Sequence, residues 1–227
     1  GEEGADPGPV WTLSDTAIAG MGYTTEGTNT LLVAAGDSVY ALDQSGNVLW
    51  QVYAGGPVLD LAIGSFMNMF AASSAGGGIT FWMQDGTLAG FAEMFGGDVL
   101  SLAFHPESDV FFGGDVDGYV RAWETTDGYE IWAEQTHGVG VPVRAIAVTS
   151  NEFGGSWGVS GDANGAGIGW DLTTGLMDGG LTIVDGITNM AIGPNGASLF
   201  ATTDMGGLII WNTDTEGEPL ELANEMG

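Results

Sequence analysis

The sequence predicts an all-β chain that repeats one four-stranded antiparallel unit five times. Two residue columns and the strand-and-turn pattern between them carry that prediction. Short apolar strands place an alanine at Ala19, Ala62, Ala103, Ala147 and Ala191. A second column runs through Leu42, Trp82, Trp123, Trp170 and Trp211. Both columns step by about 40 to 47 residues, the period of one propeller blade. A small residue suits the crowded innermost strand of a blade, and a large aromatic further out fills the widening gap between neighbouring sheets. The 41 glycines and 10% aromatic content fit many short strands joined by tight turns. The expected fold is therefore a β-propeller of five four-stranded blades over residues 1–227, with repeats at about 15–54, 58–95, 99–137, 143–184 and 187–225.

The third repeat shows the unit most plainly. Val99 to Phe104 forms a strand, His105-Pro106 turns the chain, and Val110-Phe111-Phe112 opens a second strand. Asp117-Gly118 is a tight-turn dipeptide before a third strand, Tyr119 to Trp123. Outer strands follow at Val48–Val52, Leu88–Glu93 and Tyr129–Ala133, with a third aromatic column at Trp50, Phe91 and Trp132. Gly-rich links at Gly55-Gly56-Pro57, Gly96-Gly97 and Gly138 to Gly140 lead into each next inner strand.

Two repeats carry a more specific pattern. Asp117-Gly118 stands six residues before Trp123, and Asn164-Gly165 stands at the same spacing before Trp170-Asp171. This arrangement resembles WD40 repeats. In that family a His and a Ser or Thr tie the turn into a buried hydrogen-bond network, which the resemblance assigns to His137 and Ser160. The other repeats depart from it, with Gly36, Gly76 and Met205 at the acidic position. The first repeat, through Val39-Tyr40-Ala41-Leu42-Asp43, Gly46 and Leu49-Trp50, instead resembles a quinoprotein-type blade. Quinone-binding propellers are longer and have more blades, so no such cofactor is expected. The resemblance implies the fold but names no activity, because propellers host unrelated functions.

The ends offer one outer strand too many. Val10-Trp11-Thr12-Leu13 precedes the first inner strand at outer-strand spacing, and Pro219-Leu220-Glu221-Leu222 follows Trp211 at the same spacing. One of them closes the ring in the last blade. The other is free to lie on the surface or to add to a neighbouring molecule, which makes Trp11, Leu13, Leu220 and Leu222 candidate subunit contacts.

Charge narrows the partners. Two arginines, Arg121 and Arg144, face 30 carboxylates, for a net charge of −28. Such a field repels nucleic acid and anionic lipid. No apolar run approaches the roughly 20 residues that cross a membrane. With no cysteine, disulfides and thiol chemistry are absent. The chain starts at Gly1, and removal of an export signal is the commonest cause of such a start. An extracellular, cell-surface or periplasmic setting is therefore expected.

Candidate chemistry gathers where inner strands begin. Asp15, Asp60, Asp98 and Asp185, with Asn189 nearby, are candidate ligands for a hard cation such as Ca²⁺ at the channel mouth. Paired carboxylates there also suit glycoside hydrolysis. Against this, the four are out of register with the alanine column. Asp115-Val116-Asp117-Gly118 superficially matches a calcium loop but lacks its later ligands, so it reads as a hairpin turn. His105, before a proline, reads as structural. No nucleophile elbow, phosphate loop or dinucleotide fingerprint occurs. The expected function is a non-enzymatic protein-interaction or structural propeller, an exported subunit of a homo-oligomer or larger assembly. The competing expectation is a sugar- or cation-binding, or glycoside-hydrolysing, site at the channel mouth.

Overall fold

The computed structural model describes residues 16–25, 29–76, 78–92, 96–150, 156–183, 185–193, 196–212 and 220–222. They form a β-propeller of five antiparallel sheets, each of four strands in chain order from axis to rim. Blade 1 holds β1 (Ile18–Tyr23), β2 (Leu31–Ala35), β3 (Ser38–Leu42) and β4 (Val48–Tyr53). Blade 2 holds β5 (Val58–Gly64), β6 (Met69–Ser74), β7 (Gly78–Met83) and β8 (Leu88–Ala92). Blade 3 follows with β9 (Val99–Phe104), β10 (Val110–Asp115), β11 (Tyr119–Glu124) and β12 (Glu130–Gln135). Blade 4 has β13 (Val143–Ser150), β14 (Ser156–Asp162), β15 (Ala166–Asp171) and β16 (Leu176–Thr182). Blade 5 has β17 (Ile187–Ile192), β18 (Ser198–Thr203), β19 (Leu208–Asn212) and β20 (Leu220–Leu222).

Strand pairing orders the sequence columns. Trp82, Trp123, Trp170 and Trp211 pair with Phe70, Phe111, Gly158 and Leu199 in one common register, and Leu42 pairs with Leu31 likewise. Ala62, Ala103, Ala147 and Ala191 also share a register, opposite Ala71, Phe112, Val159 and Phe200. Blade 1 departs from the expected column. There Gly22, not Ala19, holds the position, opposite Leu32. The reason is space, since a Cβ on Gly22 would stand 2.8 Å from Ile63 Cδ1 of blade 2. Ala19 belongs to another ring of positions. Every inner strand bulges near its start, and the bulged residues Ala19, Leu59, Leu100, Arg144 and Thr188 turn toward one axial cavity of about 340 Å³.

The outer strand of blade 5 is β20, paired with β19 through Leu220, Glu221 and Leu222. Its backbone therefore belongs to its own blade. Trp11 and Leu13, the other candidates for that place, lie outside the described residues.

Packing between sheets makes the core. Residue clusters of blades 1 and 2, 2 and 3, 3 and 4, and 4 and 5 each fill one interface. Aromatic stacks run through three of them. Phe70 lies between Trp50 and Trp82, with the nearer centroids 5.1 Å apart. Phe111 stacks on Trp123 at 5.2 Å, and Trp132 on Trp170 at 5.9 Å. The first residue of each inner strand drives into the preceding blade: Val58, Val99, Val143 and Ile187 are at most 8% exposed. Val143 is received by Gly114 and Ile187 by Gly161, where a Cβ would overlap the incoming methyl groups. Burying such a side chain contributes about 1.5–3 kcal/mol. Ile18, the same position in blade 1, is 53% exposed.

Candidate functional site

Blade 4 contains the expected network in full. Trp170 Nε1–H donates to Ser160 Oγ at 2.7 Å, and Ser160 Oγ lies 2.6 Å from His137 Nε2. His137 Nδ1 stands 3.0 Å from Asp162 Oδ2. The other oxygen of Asp162 accepts the N–H groups of Asn164 and Ala166, at 2.8 and 2.9 Å. One proton arrangement satisfies every partner. Ser160 accepts from the indole and donates to Nε2, leaving the Nδ1 proton of a neutral His137 to point at the carboxylate. The chain of bonds thus anchors the β14–β15 turn, in which Gly165 takes φ +88°.

Ser160, His137 and Asp162 have the spacings of a nucleophilic triad. Their surroundings forbid that use. Ser160 is fully buried and its hydroxyl is already engaged by both the indole and the imidazole. No substrate carbonyl can approach it.

Blade 3 reaches the same end with different residues. Asp115, fully buried, accepts the N–H groups of Asp117 and Tyr119 through Oδ1, both at 2.9 Å. Its Oδ2 takes Arg121 Nε–H at 3.1 Å, and Arg121 Nη1 reaches Glu130 at 2.8 Å. The guanidinium also covers the Tyr119 ring at 4.5 Å. Arginine does here what His137 does next door, and Gly96 leaves room for it, since a Cβ there would lie 3.0 Å from Nη2. Burial opposes the arginine's charge, but the bonds to Glu130 and Asp115 outweigh it and hold the group above its ordinary value. Gly113 replaces the serine, and the buried Trp123 indole N–H finds no partner among the described residues.

The turn residues named from sequence, Asp117 and Asn164, are therefore held rather than holding. Asp115 and Asp162, two residues earlier, do the holding. The signal was present in Asp-x-Asp-Gly and Asp-x-Asn-Gly, whose shared first aspartate the sequence pattern offers twice. Asp117 makes a separate tie, accepting Gly97 N–H at 3.1 Å. His105 is structural in detail: Nδ1 accepts Glu107 N–H at 3.0 Å, leaving Nε2–H for Ser156 Oγ of blade 4 at 2.6 Å.

Both histidines carry a pH prediction. Burial lowers the His137 pKa from its ordinary 6.5, with Asp162 opposing only in part. Burial likewise lowers that of His105, with the Glu107 charge opposing. The unfolded chain then binds protons at 6.5 while the folded chain does not. Stability is fully present above that pH and falls as pH drops from 6.5 toward the lowered folded values. Thermal melting from about pH 7.5 to 5, in salt that screens the net charge, is expected to show that fall. A His137→Asn variant melts lower but with a shallower slope.

Of the four channel-mouth carboxylates, the three described ones, Asp60, Asp98 and Asp185, do not gather into one site. Asp60 reaches across to blade 3 and accepts Leu102 N–H at 2.7 Å, with burial pushing its pKa above the ordinary 3.8. Asp98 turns instead to the β6–β7 turn and accepts Gly76 N–H at 2.7 Å. Asp185 sits half-buried before β17, and Asp15 lies outside the described residues. Among the described residues no three carboxylates or histidines converge as metal ligands. Arg144, at the axial cavity, is held by both oxygens of Asp204 at 3.0 and 2.8 Å. Both arginines are thus neutralised by carboxylates.

Part of the exposed apolar surface lies on the rim, and part on the inner strand of blade 1 at Ile18, Met21 and Tyr23. Val48, Leu49 and Tyr53 of blade 1, Leu88 and Phe91 of blade 2, Tyr129 and Ile131 of blade 3, and Leu176 and Met177 of blade 4 all face solvent. Of the outer aromatic column, Trp50 and Trp132 wedge between blades while Phe91 is 60% exposed. In the Phe66–Phe70 turn, Phe66 and Met67 are exposed and Met69 and Phe70 are buried.

No protein family matches this sequence as a family, and no curated protein matches it in sequence. Likeness appears in backbone shape, where 1620 chains of solved structures match, a number that makes the fold common and its function open. One of them comes from the crystal structure of a mitotic checkpoint complex, with TM-score 0.77 and 17% identity over 93% of this chain. The match spans 65% of that other chain. Similarity at this level establishes the architecture: the protein is a β-propeller of WD40-like blades.

Proposed function

We propose that the protein is a non-enzymatic propeller that binds other proteins, exported and working as a subunit of a homo-oligomer or larger assembly. The rim carries the reading. Four outer strands present large apolar side chains on open sheet edges, and no lysine stands among them to discourage pairing. The similar solved chain belongs to a structure titled as a complex. Among the described residues, the Ser160–His137–Asp162 constellation with catalytic spacing is sealed inside a blade, which favours a scaffold. An exported setting is one in which acid, salt or divalent cations neutralise or screen 30 carboxylates. Light scattering on the eluting full chain tests this directly. Multimers are expected, and removal of residues 1–14 leaves a folded monomer if the surplus strand makes the contact. A full chain that stays monomeric at every concentration overturns the assembly reading.

A further inference from the structure

Among the described residues four interfaces between blades are filled, and the faces of blades 5 and 1 do not meet in the same way: β13 packs on β17, but β17 makes no comparable packing with β1. The repeat register names what each bare face lacks. The forward face of blades 1 to 4 carries Ala34, Ser73, Gly114 and Gly161 at one buried position. In blade 5 that position is Thr202, which is exposed, flanked by Asn189, Ala191, Phe200 and Leu208. On the other side, the inner strand of blade 1 leaves Ile18, Met21 and Tyr23 exposed at 53%, 66% and 64%.

We propose that this forward face of blade 5 takes the inner strand of blade 1 from a second copy of the chain, with Ile18 seated beside Thr202. The proposal rests on reading the protein as an assembly subunit, and it names the surface. Its first support is continuity with the interfaces inside the chain. Val143 beside Gly114 and Ile187 beside Gly161 are the same pairing already made, and Ile18 is the knob of that kind left over. A second support is a waiting hydrogen bond. Asp60 joins blade 2 to blade 3 by accepting Leu102 N–H. Asn189 stands at the Asp60 position of blade 5, exposed, and Met21 stands at the Leu102 position of blade 1. Charge is the third. None of these face residues is charged, on a molecule whose −28 elsewhere drives copies apart. Further out on blade 1, Val33 and Leu42 are already buried, which confines the contact to the inner strands. The interface is therefore small and association is concentration-dependent. Because the two faces differ, copies join head to tail.

The chain has no cysteine, which permits a clean test. Ile18→Cys and Thr202→Cys, both at exposed positions, are prepared singly and mixed under mild oxidation. The expected product is a disulfide dimer holding one of each, in several-fold excess over either variant alone and over a mixture with Val139→Cys, an exposed control. A chain carrying both substitutions is expected to form intermolecular ladders. An intramolecular disulfide at every dilution overturns the proposal, because the ring then closes on itself. Dimer formation no greater than that of the control also overturns it. If light scattering still shows multimers in that case, the assembly reading survives and the surface is elsewhere.

Discussion

Replacing Arg121 with methionine is expected to cost about 3–5 kcal/mol of folding stability, read as a lower midpoint of denaturant unfolding. Methionine keeps most of the apolar stem that packs in blade 3, so the loss is electrostatic. Asp115 is fully buried, and Arg121 is its cationic partner, through Nε at 3.1 Å. Without it the carboxylate keeps two backbone N–H groups but lies uncompensated beside a Glu130 that has lost its own partner. Adding Asp115→Asn to Arg121→Met is expected to recover a large part of the loss. Asparagine still accepts the N–H groups of Asp117 and Tyr119 while removing the buried charge. Arg144→Met serves as the control. Its pair with Asp204 is 37% and 48% exposed, and such surface pairs contribute about 0–1 kcal/mol. Equal costs at the two arginines would show that burial is not what makes Arg121 matter.

Asp162→Ala is expected to be comparably damaging, at about 3–5 kcal/mol, through unsatisfied groups. Three donors lose their acceptor together: the N–H groups of Asn164 and Ala166, and Nδ1–H of His137. The last is buried, so water does not replace the carboxylate cheaply. Asp162→Asn keeps an oxygen for the two turn N–H groups and disturbs only the histidine, so an intermediate cost is expected. Melting temperatures of the three proteins should fall in that order. If asparagine proves as harmful as alanine, the bond to His137 rather than the turn dominates.

The third-strand tryptophans were legible because a large aromatic has one place in a blade, the gap between sheets. Trp82, Trp123, Trp170 and Trp211 keep one register for that reason. The inner column was legible only where a side chain exists. At Gly22 the neighbouring Ile63 leaves no room for a Cβ, so the first repeat has no alanine at this position and its nearest one, Ala19, stands three residues early. In the turns, Asp117-Gly118 and Asn164-Gly165 announce themselves by conformation, while Asp115 and Asp162 act through backbone N–H groups that a sequence does not display. Arg121 and Glu130 meet across adjacent strands, and only the pairing of β11 with β12 brings them together. Asp60 lines the axial cavity as its place in the sequence implies, while Asp98 does not. Each also bonds the backbone of an adjoining blade, a relation set by how sheets are rotated against one another.

The four interfaces inside the chain have a thermodynamic consequence. A closed ring has no ends, and losing one blade breaks two interfaces. A linear series has ends, where losing a terminal blade breaks only one. Among the described residues blades 2, 3 and 4 are each held by two filled interfaces, so the His137 and Arg121 networks of blades 4 and 3 lie in the doubly held part, where opening costs most. Head-to-tail contact between copies would convert both ends into interior positions.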